Sequence, residues 1–146
     1  MKEPKLITGG IAVDDRGQLT FANDFNFKDV KRFYMVENHQ PQFVRAWHGH
    51  KIESKYVMVV SGAIKIGAVH IIDWDNPYEK SPIFECSLSS SSPKILYIPS
   101  GYANGFMTLV PDTKVMFFST TTLEEAKDDD YRYPADYWNI WNVECR

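Results

Sequence analysis

Cysteine is almost missing. Cys86 and Cys145 are the only two in 146 residues, far apart and in no CxxC spacing. That argues against a disulfide scaffold and a zinc site, and reads most simply as two unpaired thiols in a reducing cytoplasm. Long apolar runs are missing too: no stretch approaches the ~18 residues of a membrane span, so no membrane partner is expected. The opening MKEPKLITGG carries two lysines but no apolar segment, and is not read as a secretory signal. There is no basic excess. The formal net charge is −3 and the pI about 5.8, which argues against nucleic acid as the main partner. No repeat of fixed period and no linker divides the chain, so one domain over 1–146 is expected.

What is present is an ordinary globular mixture, 44% hydrophobic and 24% charged, which excludes a disordered chain. Aromatics reach 14%, which favours strands, because rings fit half-buried pleated surfaces. Short runs rich in Val, Ile, Phe and Tyr recur between turn signals. Strands are expected over 5–13, 18–22, 32–37 and 42–50, with Asp14-Asp15-Arg16-Gly17 as a turn. The clearest hairpin is 55–60 with 63–73, where Gly62 supplies the positive φ of a tight turn. Further strands fall at 83–88 and 95–98, and 105–110 is expected to pair with 114–121 across Pro111-Asp112. Only 123–130 reads as helical, and its acidic residues read as a solvated face. Many short strands with little helix predict an all-β jelly-roll barrel ending in a short helical segment, whose mouth is a natural ligand site.

The densest polar cluster is Arg45-Ala46-Trp47-His48-Gly49-His50-Lys51-Ile52-Glu53-Ser54-Lys55. On a regular strand His48 and His50 share a face with Val44 and Ala46. Arg45 and Trp47 face away unless a bulge intervenes. An HxH pair on a strand first suggests a metal. In metal-binding cupins a Glu follows about four residues after the pair, and a third His comes after a PxG turn. Here Lys55 stands at the Glu position and Asn104 at the third His. An ammonium repels a divalent cation and Asn is a poor transition-metal ligand, so no metal is expected. His39 and His70 have no partner pattern and are read as surface residues.

The Asp-x-Arg-Gly turn at 14–17, the Arg45-x-x-His48 strand, the Lys55-Tyr56-Val57 segment leading to Ser61-Gly62, and Ile98-Pro99-Ser100-Gly101-Tyr102-Ala103-Asn104-Gly105-Phe106 occur in one order along nearly the whole chain. In this the sequence resembles the cupin sugar-nucleotide enzymes: the dTDP-4-dehydrorhamnose 3,5-epimerases and the related dTDP-4-keto-6-deoxyhexose 3,4-ketoisomerases. The His-x-His-Lys segment is similar to the ketoisomerases; 81–118 is similar to the epimerases.

The resemblance implies a cytoplasmic homodimer without cofactor, acting on a nucleoside-diphosphate sugar, dTDP-linked, in deoxysugar synthesis for surface polysaccharide. It implies His48 as the base, Lys55 as partner of the enolate, and His50 as the group that returns the proton. Arg16 and Arg45 are implied as phosphate contacts, Arg16 across a dimer interface. Trp47, Tyr102, Asn104 and Phe117 complete the expected substrate- and nucleotide-binding set. The chemistry needs such groups. A 4-keto group acidifies the neighbouring carbons, a neutral imidazole can take the proton, and a positive group can hold the enolate charge.

Three departures stand out. Phe117 replaces the epimerases' tyrosine acid and cannot donate a proton. Asn104 replaces their histidine after the turn. No C-terminal motif matches their base-orienting aspartate. The expected reaction is therefore epimerisation at C3, with C5 open. The alternatives are 3,4-ketoisomerisation, non-catalytic sugar-nucleotide binding, and a metal-dependent cupin. Activity is expected to fall below about pH 6, near the reference histidine value.

Overall fold

The computed structural model describes residues 2–146. Its strands are β1 (Lys5–Thr8), β2 (Gly10–Asp14), β3 (Gly17–Phe21), β4 (Arg32–Glu37), β5 (Val44–His50), β6 (Lys55–Ser61), β7 (Ala63–His70), β8 (Ile83–Ser89), β9 (Lys94–Ile98), β10 (Tyr102–Thr108), β11 (Lys114–Ser119) and β12 (Tyr131–Arg132). One helical turn, α1 (Leu123–Ala126), precedes β12.

Two five-stranded antiparallel sheets carry the fold, in the orders β1-β9-β6-β11-β4 and β12-β5-β10-β7-β8; β2 and β3 form a separate ribbon. From β4 to β11 the chain changes sheet at every connection but one, β7 to β8. The result is a jelly-roll-like sandwich of two facing sheets rather than a closed barrel.

This corrects two pairings read from the sequence. β6 and β7 flank Gly62, whose φ is +87° as expected of a tight turn, yet they lie in different sheets. β10 and β11 likewise separate across Pro111-Asp112. β-branched arms around a turn give strands, but a corner that carries the chain between sheets uses the same residues as a hairpin. β6 instead pairs with the distant β9 and β11, and β7 with the distant β10 and with β8, the next strand. The expected strand 5–13 also splits at Gly9, where β1 leaves β9 and β2 begins the ribbon.

Inward side chains fill the space between the sheets unevenly. Val57, Val59, Ile64, Ile66, Leu88, Leu96, Ile98 and Val115 form the dry core. Burying each such side chain contributes about 1.5–3 kcal/mol. A second apolar cluster lies on the other face of the β5-β10-β7 sheet, where Trp47, Val69, Ile71 and Ala103 pack against Trp138, Tyr133, Tyr137, Ile140 and Trp141 from the C-terminal segment. Among the described residues no helix is long and apolar enough to cross a membrane.

Candidate active site

A bulge in β5 sets which side chains meet. Asn104 on β10 faces His48, but Phe106 faces Arg45, so two steps on β10 span three on β5. The extra residue resets the alternation. Arg45, His48 and His50 therefore line one cavity of about 450 Å³ between the sheets. Ala46 and Trp47 turn the other way. Trp47 is fully buried, with ring centroids 5.5 Å from Trp138 and 5.2 Å from Trp141, and its Nε1 donates to the Ala135 carbonyl at 3.2 Å. The expected substrate contact by Trp47 is thus corrected: it anchors the C-terminal segment. Ala46, expected beside the histidines, packs in the same cluster.

The opposite wall comes from the β4-β11-β6 sheet. Lys55 opens β6 and is buried; Phe117 on β11 pairs with Tyr34 on β4. The Tyr34 and Phe117 rings stack with centroids 5.0 Å apart and planes 9° from parallel. Lys55 Nζ lies 5.5 Å from the Phe117 ring centre and 5.9 Å from that of Tyr34. Among the described residues it forms no ion pair within 4 Å. Burial pushes the Lys55 ammonium below its ordinary value, against the pull of the Glu53 carboxylate. Burial also raises the Tyr34 phenol, with Glu53 adding to it, so the hydroxyl keeps its proton at neutral pH.

His48 is pushed down to about 4, by burial first and then by Arg132 and Lys55, with Asp130 opposing. It is a neutral base at pH 7, and it stays so well below the acid limit near pH 6 expected from the unperturbed value. His50 is lowered as well, by burial and by Lys55. Its Nδ1 lies 2.6 Å from the Asp129 carbonyl oxygen and 3.4 Å from Glu53 Oε1. Its Nε2 is buried and has no partner among the described residues.

The acidic run at 124–130 departs most from its sequence reading. Only 123–126 is helical, capped by Thr122 in a capping box with Glu125. Glu124 and Glu125 are solvated as expected, but Asp129 is buried. Its carboxylate accepts from the backbone N–H groups of Lys51, Ile52 and Glu53 at 2.6–2.9 Å. Asp130 lines the cavity. Burial opposes its ionisation, but its hydrogen bond to Arg132 and that cation's charge hold it below the usual carboxylate range. A carboxylate from the C-terminal segment therefore does approach the histidines, although no motif announced it. Glu53, also missed as a site residue, is buried and held by Arg32 at 3.0 Å, by Ser119 Oγ and by Thr121 Oγ1 at 3.4 Å.

The other expected contacts divide. Arg45 lines the cavity, and its Nε donates to Asn38 Oδ1 at 2.6 Å. Asn104 and Phe117 line it too, Asn104 Nδ2 donating to the His48 carbonyl at 3.3 Å. Tyr102 lies outside the lining, its ring 5.1 Å from that of His70, at the start of β10. Arg16 sits at the exposed tip of the β2–β3 ribbon, bonded to Asp14, and does not reach this chain's cavity. His39 and His70 are exposed, as read.

The cavity is bounded by five cationic side chains, Arg32, Arg45, Lys55, Lys127 and Arg132, against the carboxyls of Glu53 and Asp130. That balance suits an anionic ligand. Arg32, Lys127 and Arg132 were not legible as site residues. The alternation Arg32-x-Tyr34-x-Val36 does mark one face of β4, but only the sheet order shows that it faces the histidines.

Comparison with known proteins agrees with this geometry. The family described as dTDP-4-dehydrorhamnose 3,5-epimerase matches residues 2–142. Among curated proteins none matches. Among solved structures, the Bacillus anthracis dTDP-4-dehydrorhamnose 3,5-epimerase with TDP and pyrophosphate superposes with a TM-score of 0.78, at 23% identity over 98% of this chain and 87% of that one. A Streptomyces bikiniensis 3'-monoepimerase in complex with dTDP gives 0.76, at 17% identity over 95% and 74%. The Thermoanaerobacterium thermosaccharolyticum sugar 3,4-ketoisomerase with TDP gives 0.67, at 20% identity over 92% and 90%. The match over nearly all of its length places this chain, an isomerase by descent, in the dTDP-4-dehydrorhamnose 3,5-epimerase family.

Proposed function

We propose that the chain epimerises a nucleoside-diphosphate-4-keto-6-deoxysugar, dTDP-linked, at C3, by proton abstraction at His48. The observation that carries this reading is the placement of a neutral base and a protonated phenol on opposite sheets across one cavity. Inversion of a carbon needs removal of a proton from one face and delivery to the other. His48 stands on β5, and Tyr34 on β4 lines the same cavity from the opposite sheet with its proton in place. Tyr34 thus takes the acid role that Phe117, its cross-strand neighbour, cannot fill. Lys55, lowered by burial but cationic while protonated, lies beside both rings where enolate charge would develop. Arg45, Arg132 and Lys127 are offered as the diphosphate contacts.

A second reading, 3,4-ketoisomerisation, is favoured by the two histidines sharing one wall, since moving a proton between adjacent carbons on one face needs no donor opposite. Incubation with a dTDP-4-keto-6-deoxyhexose in deuterium oxide separates the readings. Deuterium at C3 with the ketone kept at C4 supports epimerisation. A ketone at C3 supports isomerisation. Binding without exchange leaves a non-catalytic binder.

The same reading includes a homodimer. One sheet has its outer face covered by the C-terminal segment, while the outer face of the other exposes Phe33 and Met35, next to the exposed Phe27. A second copy seated there would bury this apolar surface, and only from a second copy could Arg16 enter a cavity. Light scattering on the Phe33→Glu variant tests it: a dimer in the parent and a monomer in the variant support the face; a monomeric parent rejects it.

A further inference from the structure

We propose that His50 meets the substrate solely as a hydrogen-bond acceptor, through Nε2, and that Asp129 is the positioning residue that fixes it in this form. The inference rests on the proton-transfer reading of the cavity and assigns a specific task within it.

One backbone carbonyl sets the tautomer of His50. His50 Nδ1 lies 2.6 Å from the Asp129 carbonyl oxygen. A carbonyl only accepts, so Nδ1 carries the proton. A neutral imidazole has one N–H, and the lone pair is then left on Nε2. Glu53 Oε1, 3.4 Å from the same Nδ1, is a second acceptor on that side and opposes any exchange of tautomer. Burial and the Lys55 ammonium both work against the doubly protonated ring. What remains at Nε2 is a buried acceptor without a partner, on a residue that lines the cavity. Buried polar atoms are rarely left unpaired, and those that are call for a ligand or another explanation.

Asp129 can hold this carbonyl in place because its own carboxylate is tied down. It accepts from the N–H groups of Lys51 at 2.6 Å, Ile52 at 2.9 Å and Glu53 at 2.9 Å, the residues that directly follow His50. The segment that supplies the carbonyl and the segment that supplies the ring are thus locked to one another. His48 has no such constraint: its ring makes no hydrogen bond to the described residues. The two histidines of the pair therefore divide the work. His48 is the free base, and His50 reads a donor. The chemical group it fits is a sugar hydroxyl beside the reacting centre. This also alters the role first read for His50. A ring whose Nε2 has no proton cannot deliver one from that nitrogen in the resting enzyme.

The test is proton–nitrogen correlation NMR on the full-length protein labelled with nitrogen-15 histidine, with His50 assigned by loss of its signals in His50→Gln. The expected spectrum at neutral pH has the proton on Nδ1 and a bare Nε2. A proton on Nε2, or on both nitrogens, overturns the proposal. In Asp129→Ala the Nε2–H form should become populated. The deuterium exchange rate on a dTDP-4-keto-6-deoxyhexose should fall about tenfold, as for the loss of one hydrogen bond, with dTDP affinity changed less than about twofold. Asp129→Asn, whose Oδ1 still accepts, should recover part of the rate. A lower melting temperature with tautomer and rate unchanged would make Asp129 merely structural and reject its positioning role. If the Asp129 variants do not fold, the parent spectrum still decides the state of His50. If that spectrum is as expected but no 4-keto sugar nucleotide exchanges, the reaction reading fails while the assignment of the ring stands.

Discussion

The interior of the sandwich has two unlike halves built from the same strands. On β6, Lys55 faces the cavity, while Val57 and Val59 on the same face run into the dry core. On β11, Val115 lies in the core, Phe117 at the boundary, and Ser119 against Glu53. On β10, Asn104 reaches the cavity two residues before Phe106. One half holds its shape by dispersion and exclusion of water. The other holds it by a hydrogen-bonded frame in which Asp129 and Glu53 together tie residues 50–53, Ser119, Thr121 and Arg32 on β4. The lesson is that a preorganised polar site needs a rigid apolar neighbour on the same strands, because a buried polar network left partly unsatisfied is costly.

Four experiments sharpen or break this contrast. The largest effect is expected at the base. His48→Gln should cut solvent deuterium exchange by about 10²–10⁴-fold with the melting temperature held; full turnover in this variant would remove His48 from the mechanism. Next comes the dry half. Ile66→Ala should lower unfolding free energy by about 2–5 kcal/mol in urea titration, with the exchange rate of the folded fraction unchanged; a loss in rate equal to that of His48→Gln would erase the distinction between the halves. Lys55→Met extends the dry half into the polar one. It should lower the rate by about 10²–10³-fold, while stability rises by about 0.5–2 kcal/mol because a buried cation is removed. A variant that is both slow and unstable would mean that Lys55 is structural.

The smallest effect is in pH. The folded His48 titrates near 4, below the reference 6.5, so between these values the unfolded chain binds more protons than the folded one. Stability should therefore be present above pH 6.5 and fall as pH drops toward 4, and His48→Gln should flatten part of that slope. The acid limb of kcat/KM should fall near pH 4; a limb centred at 6.5 would place His48 in water.

How much was legible follows from where each signal resides. His48, His50 and Lys55 were singled out as part of one dense polar cluster and given roles by the resemblance, and the structure brings all three to one cavity. Gly62 was found because only a turn asks for its conformation. Trp47 turns away from the histidines as the alternation gives, and its expected substrate contact came from the resemblance; Arg45 and Ala46 were misplaced, because one bulged residue inverts the alternation before His48 and nothing local marks it. Asp129 was read as solvated because a carboxylate in an acidic run usually is; its partners are 76–78 residues away. That Tyr34 stands across from Phe117 was not legible, because the pairing joins residues 83 apart. The two expected hairpins failed for the same reason: turn chemistry is local, while the sheet a strand joins is decided by distant partners.

The amino-acid order alone determined the strand-rich class, the turns, and the family-bearing cluster from Arg45 to Lys55, since these depend on residue type and near spacing. Only the tertiary structure decided which strands share a sheet, which face each side chain takes after the bulge, and which carboxyl groups reach the histidines. Those outcomes come from pairing and burial between segments far apart along the chain, where the free energy of contact is non-local and leaves no mark on the neighbours of any one residue.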